Sequence, residues 1–348
     1  MKGKIQGIIA VFLGLIIISF VGVQTIHAQQ AQLKQLQEIQ KKIADVRQKM
    51  EAATQAKNLD EYNKYKKMYF VLIAQEKKII QSSNELMKRQ KVKVNAYNTG
   101  NKYVKLGRYE EAVKAYKKAL SIDSTFSNAY FGMGLAYKRL RKFLQAEGAY
   151  QKAIHFNPNN AVYYFALGNL FRDEHKYDKA LESYRAAVQH NPKNYKAFYE
   201  IGVIYSKRKN YKKAIESFRR AINANPQYAI AYVSLGVSYT NLGKTKEAIQ
   251  AYENAVSFNP RDYRAFYRLA KAYNDIKNYK KGLAAAKKSI ALRGFFAPAH
   301  VESARALQNL KQYKAAIKEY KIAARDIRWR KYANYQIDEI KRLLKKRS

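Results

Sequence analysis

The side chains able to carry out a reaction are few and scattered. The five histidines, His27, His155, His175, His190 and His300, include no pair at metal-ligand spacing. There is no cysteine, so disulfides, thiolate metal sites and thiol nucleophiles are excluded. No glycine-rich phosphate loop is present, because each glycine lies inside a helical pattern. The acidic residues Asp173, Glu174, Asp178 and Glu182 fall at surface spacing. Enzymatic chemistry and a bound cofactor are therefore not expected. What does recur is recognition chemistry: tyrosine, asparagine, lysine and arginine return at a fixed interval. An asparagine amide can hold a peptide backbone, a cation a carboxylate, and a ring an apolar side chain.

That interval is 34 residues. The phrases NPNNAVYYFALGNLF from Asn157, NPKNYKAFYEIGVIY from Asn191, NPQYAIAYVSLGVSY from Asn225 and NPRDYRAFYRLAKAY from Asn259 follow one another without insertion. A period of this size is an array of helix pairs. Aligning the glycines gives repeats at 93–126, 127–160, 161–194, 195–228, 229–262, 263–296 and 297–330. Gly100, Gly134, Gly168, Gly202 and Gly236 then share repeat position 8. Alanines recur at 20 (Ala112, Ala146, Ala180, Ala214, Ala248) and 27. Aromatics recur at 11 and at 24 (Tyr116, Tyr150, Tyr184, Phe218, Tyr252). Small residues let helices approach and rings fill the space between them. Pro158, Pro192, Pro226 and Pro260 at position 32 end the second helix.

In these residues the sequence resembles the tetratricopeptide repeat family, over residues 93–330. The resemblance implies an all-α fold: a right-handed solenoid of seven 34-residue helix pairs with a concave groove lined by the first helices. The sixth and seventh repeats depart from the pattern. Ala270 replaces the glycine, Gly282, Ala286 and Ser289 stand at positions 20, 24 and 27, Gly294 replaces the proline, and Ala297-Pro298 opens the last repeat. Looser packing or altered faces are expected there. Residues 331–348 read as a basic capping helix, packing through Tyr335, Ile337, Ile340, Leu343 and Leu344.

The resemblance places partner-binding residues at positions 2, 5, 9, 12 and 13, with a protein or peptide as partner. They are Tyr97, Asn101 and Lys105 in the first repeat, and Asn128, Phe131, Leu135, Lys138 and Arg139 in the second. The third supplies Phe165, Asn169, Arg172 and Asp173, the fourth Lys196, Tyr199 and Lys207, and the sixth Arg264, Tyr267 and Lys271. The family's clamp for a terminal carboxylate is not expected, since Tyr97 and Gly132 occupy the slots for its Lys and Asn.

Net charge is +41, from 67 basic and 26 acidic residues. Such a field favours anionic partners; lysine also rises together with Asn, Ile and Tyr, as compositional bias would produce. Positions 25 and 26 of the second helices, from Lys117-Lys118 to Lys321-Ile322, form an expected outer basic ridge, and residues 263–348 carry +17. A polyanion or anionic membrane surface is the alternative partner. Nucleic acid is disfavoured by the N-terminus. There, Lys2 and Lys4 precede an apolar run from Ile8 to Val23 and a small-residue exit at Ala28. Residues 1–28 therefore read as a secretory signal or a single-span anchor, and the rest as exported, periplasmic or envelope-associated. Residues 29–92 read as a helical hairpin or short coiled coil, a place for self-association. Its heptad seam is Leu36, Ile39, Ile43, Val46, Met50 and Ala53. A second helix is expected from about Glu61 to Lys91, capped by Asp60.

Overall fold

The computed structural model describes residues 23–345, with side chains from residue 30 onward. The charged start and the apolar run that reads as a signal or anchor lie outside the described side chains. Among the described residues every element is an α-helix, sixteen in all. The chain divides into two compact units, 1–158 and 159–348.

The first unit opens with a hairpin. Helices α1 (Val23–Gln55) and α2 (Leu59–Lys105) run antiparallel. Gln40 donates to Glu76 at 3.1 Å, and Arg47 donates to the Tyr69 hydroxyl at 2.8 Å. Leu36, Ile43, Val46 and Ala53 of the seam are buried, with Ile39 and Met50 half-buried beside them. The turn differs from expectation. Asn58, not Asp60, caps α2: its side chain accepts from the Glu61 amide at 3.1 Å, three residues on. Asp60 and Glu61 instead occupy the first turn, where the helix dipole favours them. Nor does α2 stop near Lys91. No Pro or Gly interrupts it before Gly100, so one rod serves both as the hairpin's second arm and as the first helix of the first repeat. Lys93, 1% exposed, fixes this rod to the repeat through Asp123 at 2.9 Å and the Phe126 ring. Three helices complete the unit: α3 (Tyr109–Ile122), α4 (Ser127–Arg139) and α5 (Phe143–Phe156).

The second unit holds five pairs: α6 (Ala161–Asp173) with α7 (Tyr177–His190), α8 (Tyr195–Lys207) with α9 (Tyr211–Ala224), and α10 (Ala229–Asn241) with α11 (Thr245–Phe258). Then come α12 (Tyr263–Asp275) with α13 (Tyr279–Leu292), and α14 (Ala297–Asn309) with α15 (Tyr313–Ala323). A last helix, α16 (Ile327–Lys345), follows.

Every pair turns through one left-handed residue at repeat position 15: Gly107, Arg141, His175, Lys209, Gly243, Lys277 and Lys311, with φ between 58° and 74°. Glycine adopts this conformation freely, whereas a side chain is strained there by about 1 kcal/mol. Lys277→Gly is therefore expected to stabilise the chain by about 0.5–1 kcal/mol, read as a higher unfolding midpoint.

Small and aromatic positions meet as their types require. A methyl added at Gly168 would lie 2.6 Å from the Tyr184 ring, and one at Gly236 would lie 2.5 Å from Tyr252. The sixth pair solves the same contact differently: Ala270 stands at position 8 because Ala286, not a ring, faces it at position 24.

Packing in the sixth and seventh pairs is not loosened by Gly282. The side chain of Asn274 fills the space against that glycine. Its amide donates to the backbone carbonyl and to the carboxylate of Glu302, both at 2.9 Å. The missing methyl is replaced by a buried polar tie between repeats.

The cap begins earlier than the sequence suggested. Asp326 accepts from the Arg328 amide at 3.0 Å and starts α16 at Ile327. The buried stripe is Ala333, Ile337 and Ile340, with Trp329 packed beside it. Tyr335 (60% exposed), Leu343 and Leu344 lie outside it, because the stripe follows three- and four-residue steps that Tyr335 misses and that Leu343 and Leu344 overrun.

Candidate functional site

In the first unit the expected contact residues lie on α2 and α4. Tyr97 packs between Tyr116 and Phe126, with ring centroids at 5.8 and 5.2 Å. Asn101 accepts a hydrogen bond from the Tyr116 hydroxyl at 2.7 Å. Phe131 lies against Tyr150 at 5.9 Å. Asn128 and Lys138 are half-buried, while Lys105, Leu135 and Arg139 are exposed.

The same arrangement returns in the second unit. Asn169 accepts from the Tyr184 hydroxyl at 2.9 Å, and Phe165 packs on the Tyr184 ring at 5.7 Å. Tyr199 packs on Phe218 and Tyr228, at 5.6 and 5.4 Å. Where the residue at position 24 is Phe218, position 9 is Val203, so no amide stands where there is no hydroxyl to satisfy. Tyr252 and Tyr320 find their partners one turn further on, in Thr240 at 3.1 Å and Gln308 at 3.0 Å. The amides expected to grip a ligand are thus committed through their oxygen to the core tyrosines. Burial pushes the Tyr116, Tyr184 and Tyr320 hydroxyls well above the ordinary tyrosine range, so they remain donors.

The charged candidates of this unit are also engaged. Arg172 bridges Asp173 at 2.8 Å and Glu200 at 2.7 Å, linking α6 to α8. Lys271 pairs with Asp275 at 2.8 Å, and Asp275 accepts from Arg305 at 2.7 Å, linking α12 to α14. Burial works against the Asp275 charge, but Lys271 and Arg305 outweigh it and hold the carboxyl below the ordinary range. Arg264 donates to the Tyr263 hydroxyl at 3.0 Å, and Lys207 to the Tyr177 hydroxyl at 3.3 Å. Tyr267 packs edge-on to Phe296 at 5.5 Å. Lys196 is exposed.

Between these two ion-paired links lies a stretch that the sequence reading left out. Helix α10 carries no charged residue. Its face at positions 2, 5, 9, 12 and 13 is Ile230 (52% exposed), Val233, Val237, Thr240 and Asn241. Adjacent α8 adds Val203 and Tyr199, whose hydroxyl lies 3.5 Å from Ser234 of α10. The repeat register alone would have found these residues; a search weighted towards cations and rings passes over valine and isoleucine.

The outer ridge is also redrawn. At position 25, Arg185 and Arg219 donate to Tyr205 and Tyr239 of the next repeat, at 2.8 and 2.6 Å. Glu253 accepts from Tyr273 in the same way. Arg220 covers the Phe198 ring. Arg185, Arg219 and Glu253 thus join neighbouring repeats and Arg220 covers a ring of its own repeat, rather than all forming one unbroken cationic surface.

One buried histidine sets a pH dependence. His300 of α14 is 2.6 Å from Glu319 of α15 through Nδ1 and 3.0 Å from the Gly294 carbonyl through Nε2. Burial and nearby Arg325 oppose its charge, but the bonds to Glu319 and Gly294 outweigh them and raise its pKa. The charged form is therefore held more tightly in the folded chain. Its stabilisation is complete below the ordinary histidine value of about 6.5 and is lost as pH rises through the folded pKa. Burial likewise raises the Glu302 carboxyl, which erodes stability in the same direction as pH rises. The melting temperature should fall from pH 6 to pH 9, and His300→Gln should flatten that slope.

Among the described residues, no group of three or more His, Asp or Glu side chains could hold a metal ion. No described helix is long and apolar enough to cross a membrane.

Models of the tetratricopeptide repeat match residues 100–140, 127–160, 165–229 and 229–262. The chain carries tetratricopeptide repeats over these residues. The last two helix pairs, where the sequence departs from the pattern, lie outside the match. The comparison with curated protein sequences returned no match. Among solved structures, the fold is similar to the C-terminal part of a tetratricopeptide repeat protein from Cytophaga hutchinsonii. That likeness has a TM-score of 0.57 at 16% identity, covering 65% of this chain and 93% of that one. PilF of Pseudomonas aeruginosa is similar with a TM-score of 0.50 at 19% identity, covering 61% and 98%. Both likenesses concern the fold alone: an all-α array of consecutive helix pairs.

Proposed function

We propose that the chain is a non-catalytic scaffold that holds a protein or peptide partner on the first-helix face of its second unit. The observation that carries this reading is the uncharged face of α10, Ile230, Val233 and Val237, continued on α8 by Tyr199 and Val203 and set between the Arg172–Glu200 and Asp275–Arg305 links. Ile230 is more than half exposed with no core role, as an anchor for an apolar side chain of a partner would be. The flanking ion pairs are already neutralised, so the partner is selected by apolar fit at the centre rather than by net charge. The partner's contact segment has apolar side chains at helical or extended spacing.

The scaffold is exported or anchored at the cell envelope and serves assembly there. The support is the Lys2-Lys4 start, the Ile8–Val23 run and the Ala28 exit. The 29–92 hairpin sets the repeats at a distance from the attachment point or joins copies of the chain. A photo-crosslinking residue at 230, compared with one at Gln250 on the exposed side of α11, tests the binding face in cells. A discrete adduct from 230 alone supports it; adducts from 250 alone contradict it.

A further inference from the structure

Cations that the fold does not use collect on two successive second helices. The exposed side of α13 presents Lys280, Lys287 and Lys288, and that of α15 presents Lys314, Lys318 and Lys321. Leu283 of α13 packs against the cluster formed by α14, α15 and α16, so α13 and α15 border one core. None of the six lysines forms an ion pair among the described residues. The only carboxylate on either helix is Glu319, and it is bound to His300. The equivalent outer positions of earlier second helices carry acids: Asp178 and Glu182 on α7, Glu216 on α9, Glu253 on α11. The patch is therefore a local feature and not a uniform consequence of the +41 charge.

We infer that this α13–α15 face docks on an anionic lipid bilayer. Ala284, Ala291 and Ala315 are the exposed residues between the lysines, so the surface has no bulky side chain to hold a flat partner away. The rings beside these lysines, Tyr279, Tyr313 and Tyr320, are half-buried or buried, unlike the open stacking platforms on which single-stranded nucleic acid is held. At the end of α13, Leu292 (42% exposed) and Phe295 (51% exposed) flank Arg293. Exposed apolar side chains beside cations enter the headgroup boundary of a bilayer and gain nothing from a soluble polyanion. This surface lies on the second helices and leaves the α8–α10 face open to a partner.

The test adds full-length chain to preformed vesicles of phosphatidylcholine alone, or with about a third phosphatidylglycerol, and measures co-sedimentation. Any binding through the N-terminal apolar run appears with both vesicles and is subtracted. The anionic vesicles should bind more tightly, and the excess should disappear near 0.5 M salt. Each lysine near an anionic surface contributes roughly fivefold. Joint Lys287→Gln, Lys288→Gln, Lys314→Gln and Lys318→Gln substitution should lower the partition several hundred-fold. A control with the same loss of charge, Lys209→Gln, Lys244→Gln, Lys277→Gln and Lys311→Gln, should retain most of it. Circular dichroism confirms that both variants are folded. Equal loss in the two variants would overturn the proposal, as would equal binding to both vesicles. So would complete displacement from vesicles by duplex DNA at matched charge, since that outcome makes nucleic acid the preferred partner.

Discussion

Gly168→Ala is expected to destabilise the second unit by about 1–3 kcal/mol, the cost of forcing a methyl into a filled contact. The methyl would lie 2.6 Å from two atoms of the Tyr184 ring, which is itself fully buried and held at its hydroxyl by Asn169. The ring cannot swing aside without breaking that hydrogen bond. Neither can α6 withdraw from α7 without opening the core at Leu170, Leu181 and Ala180, all buried. Tyr184→Ala alone should cost more, about 3–5 kcal/mol, because a large core side chain is lost. The double variant should cost less than the sum, because the cavity accepts the new methyl. The sixth repeat already contains the natural version of this double change, with Ala270 facing Ala286. Strict additivity in chemical unfolding would show that glycine and ring do not touch.

The second large effect concerns binding. Joint Ile230→Glu and Val233→Glu substitution should abolish partner capture, a loss of at least 100-fold. Burying an uncompensated carboxylate in an apolar contact is costly, and two of them exceed what the remaining contacts recover. Both residues are at least partly exposed, and neither belongs to a buried cluster, so the melting temperature should move little. This pair is a cleaner probe than Phe131, Phe165 and Tyr199. Each of those rings packs on the residue at position 24 of its own repeat, and its removal would disturb the fold together with the face.

The repeat frame was legible because it rests on spacing. Position 8 glycine and position 24 aromatic could be paired by counting, and the structure brings them together. The left-handed turn at position 15 is hidden in the sequence, since only Gly107 and Gly243 advertise it and Lys209 or Lys277 does not. The Asn274–Glu302 tie was invisible because an asparagine and a glycine eight residues apart reveal no contact with the next repeat. Helix α2 runs past Lys91 through the first repeat boundary because no helix-breaking residue stands there, and a repeat boundary is not by itself a helix boundary. At the candidate site, chemical type misled. Asn101 and Asn169 have the right atoms for a ligand, but tyrosine hydroxyls hold their oxygens. Val233 and Ile230, plain by type, form the open surface.

The central claim is that a partner is held by the uncharged face of α10, with Tyr199 and Val203 of α8, and not by the chain's net charge. Its most direct test is partner retention by immobilised chain washed at about 0.1 M and about 0.5 M salt, with the Ile230→Glu, Val233→Glu chain in parallel. Screening shortens from ~10 Å to roughly half that between the two washes, so charge-driven association is stripped and apolar anchoring is not. One discrete protein that survives the second wash on the unaltered chain and is missing from the variant is the predicted result. Partners that bind both chains alike and leave both at the higher salt would contradict it.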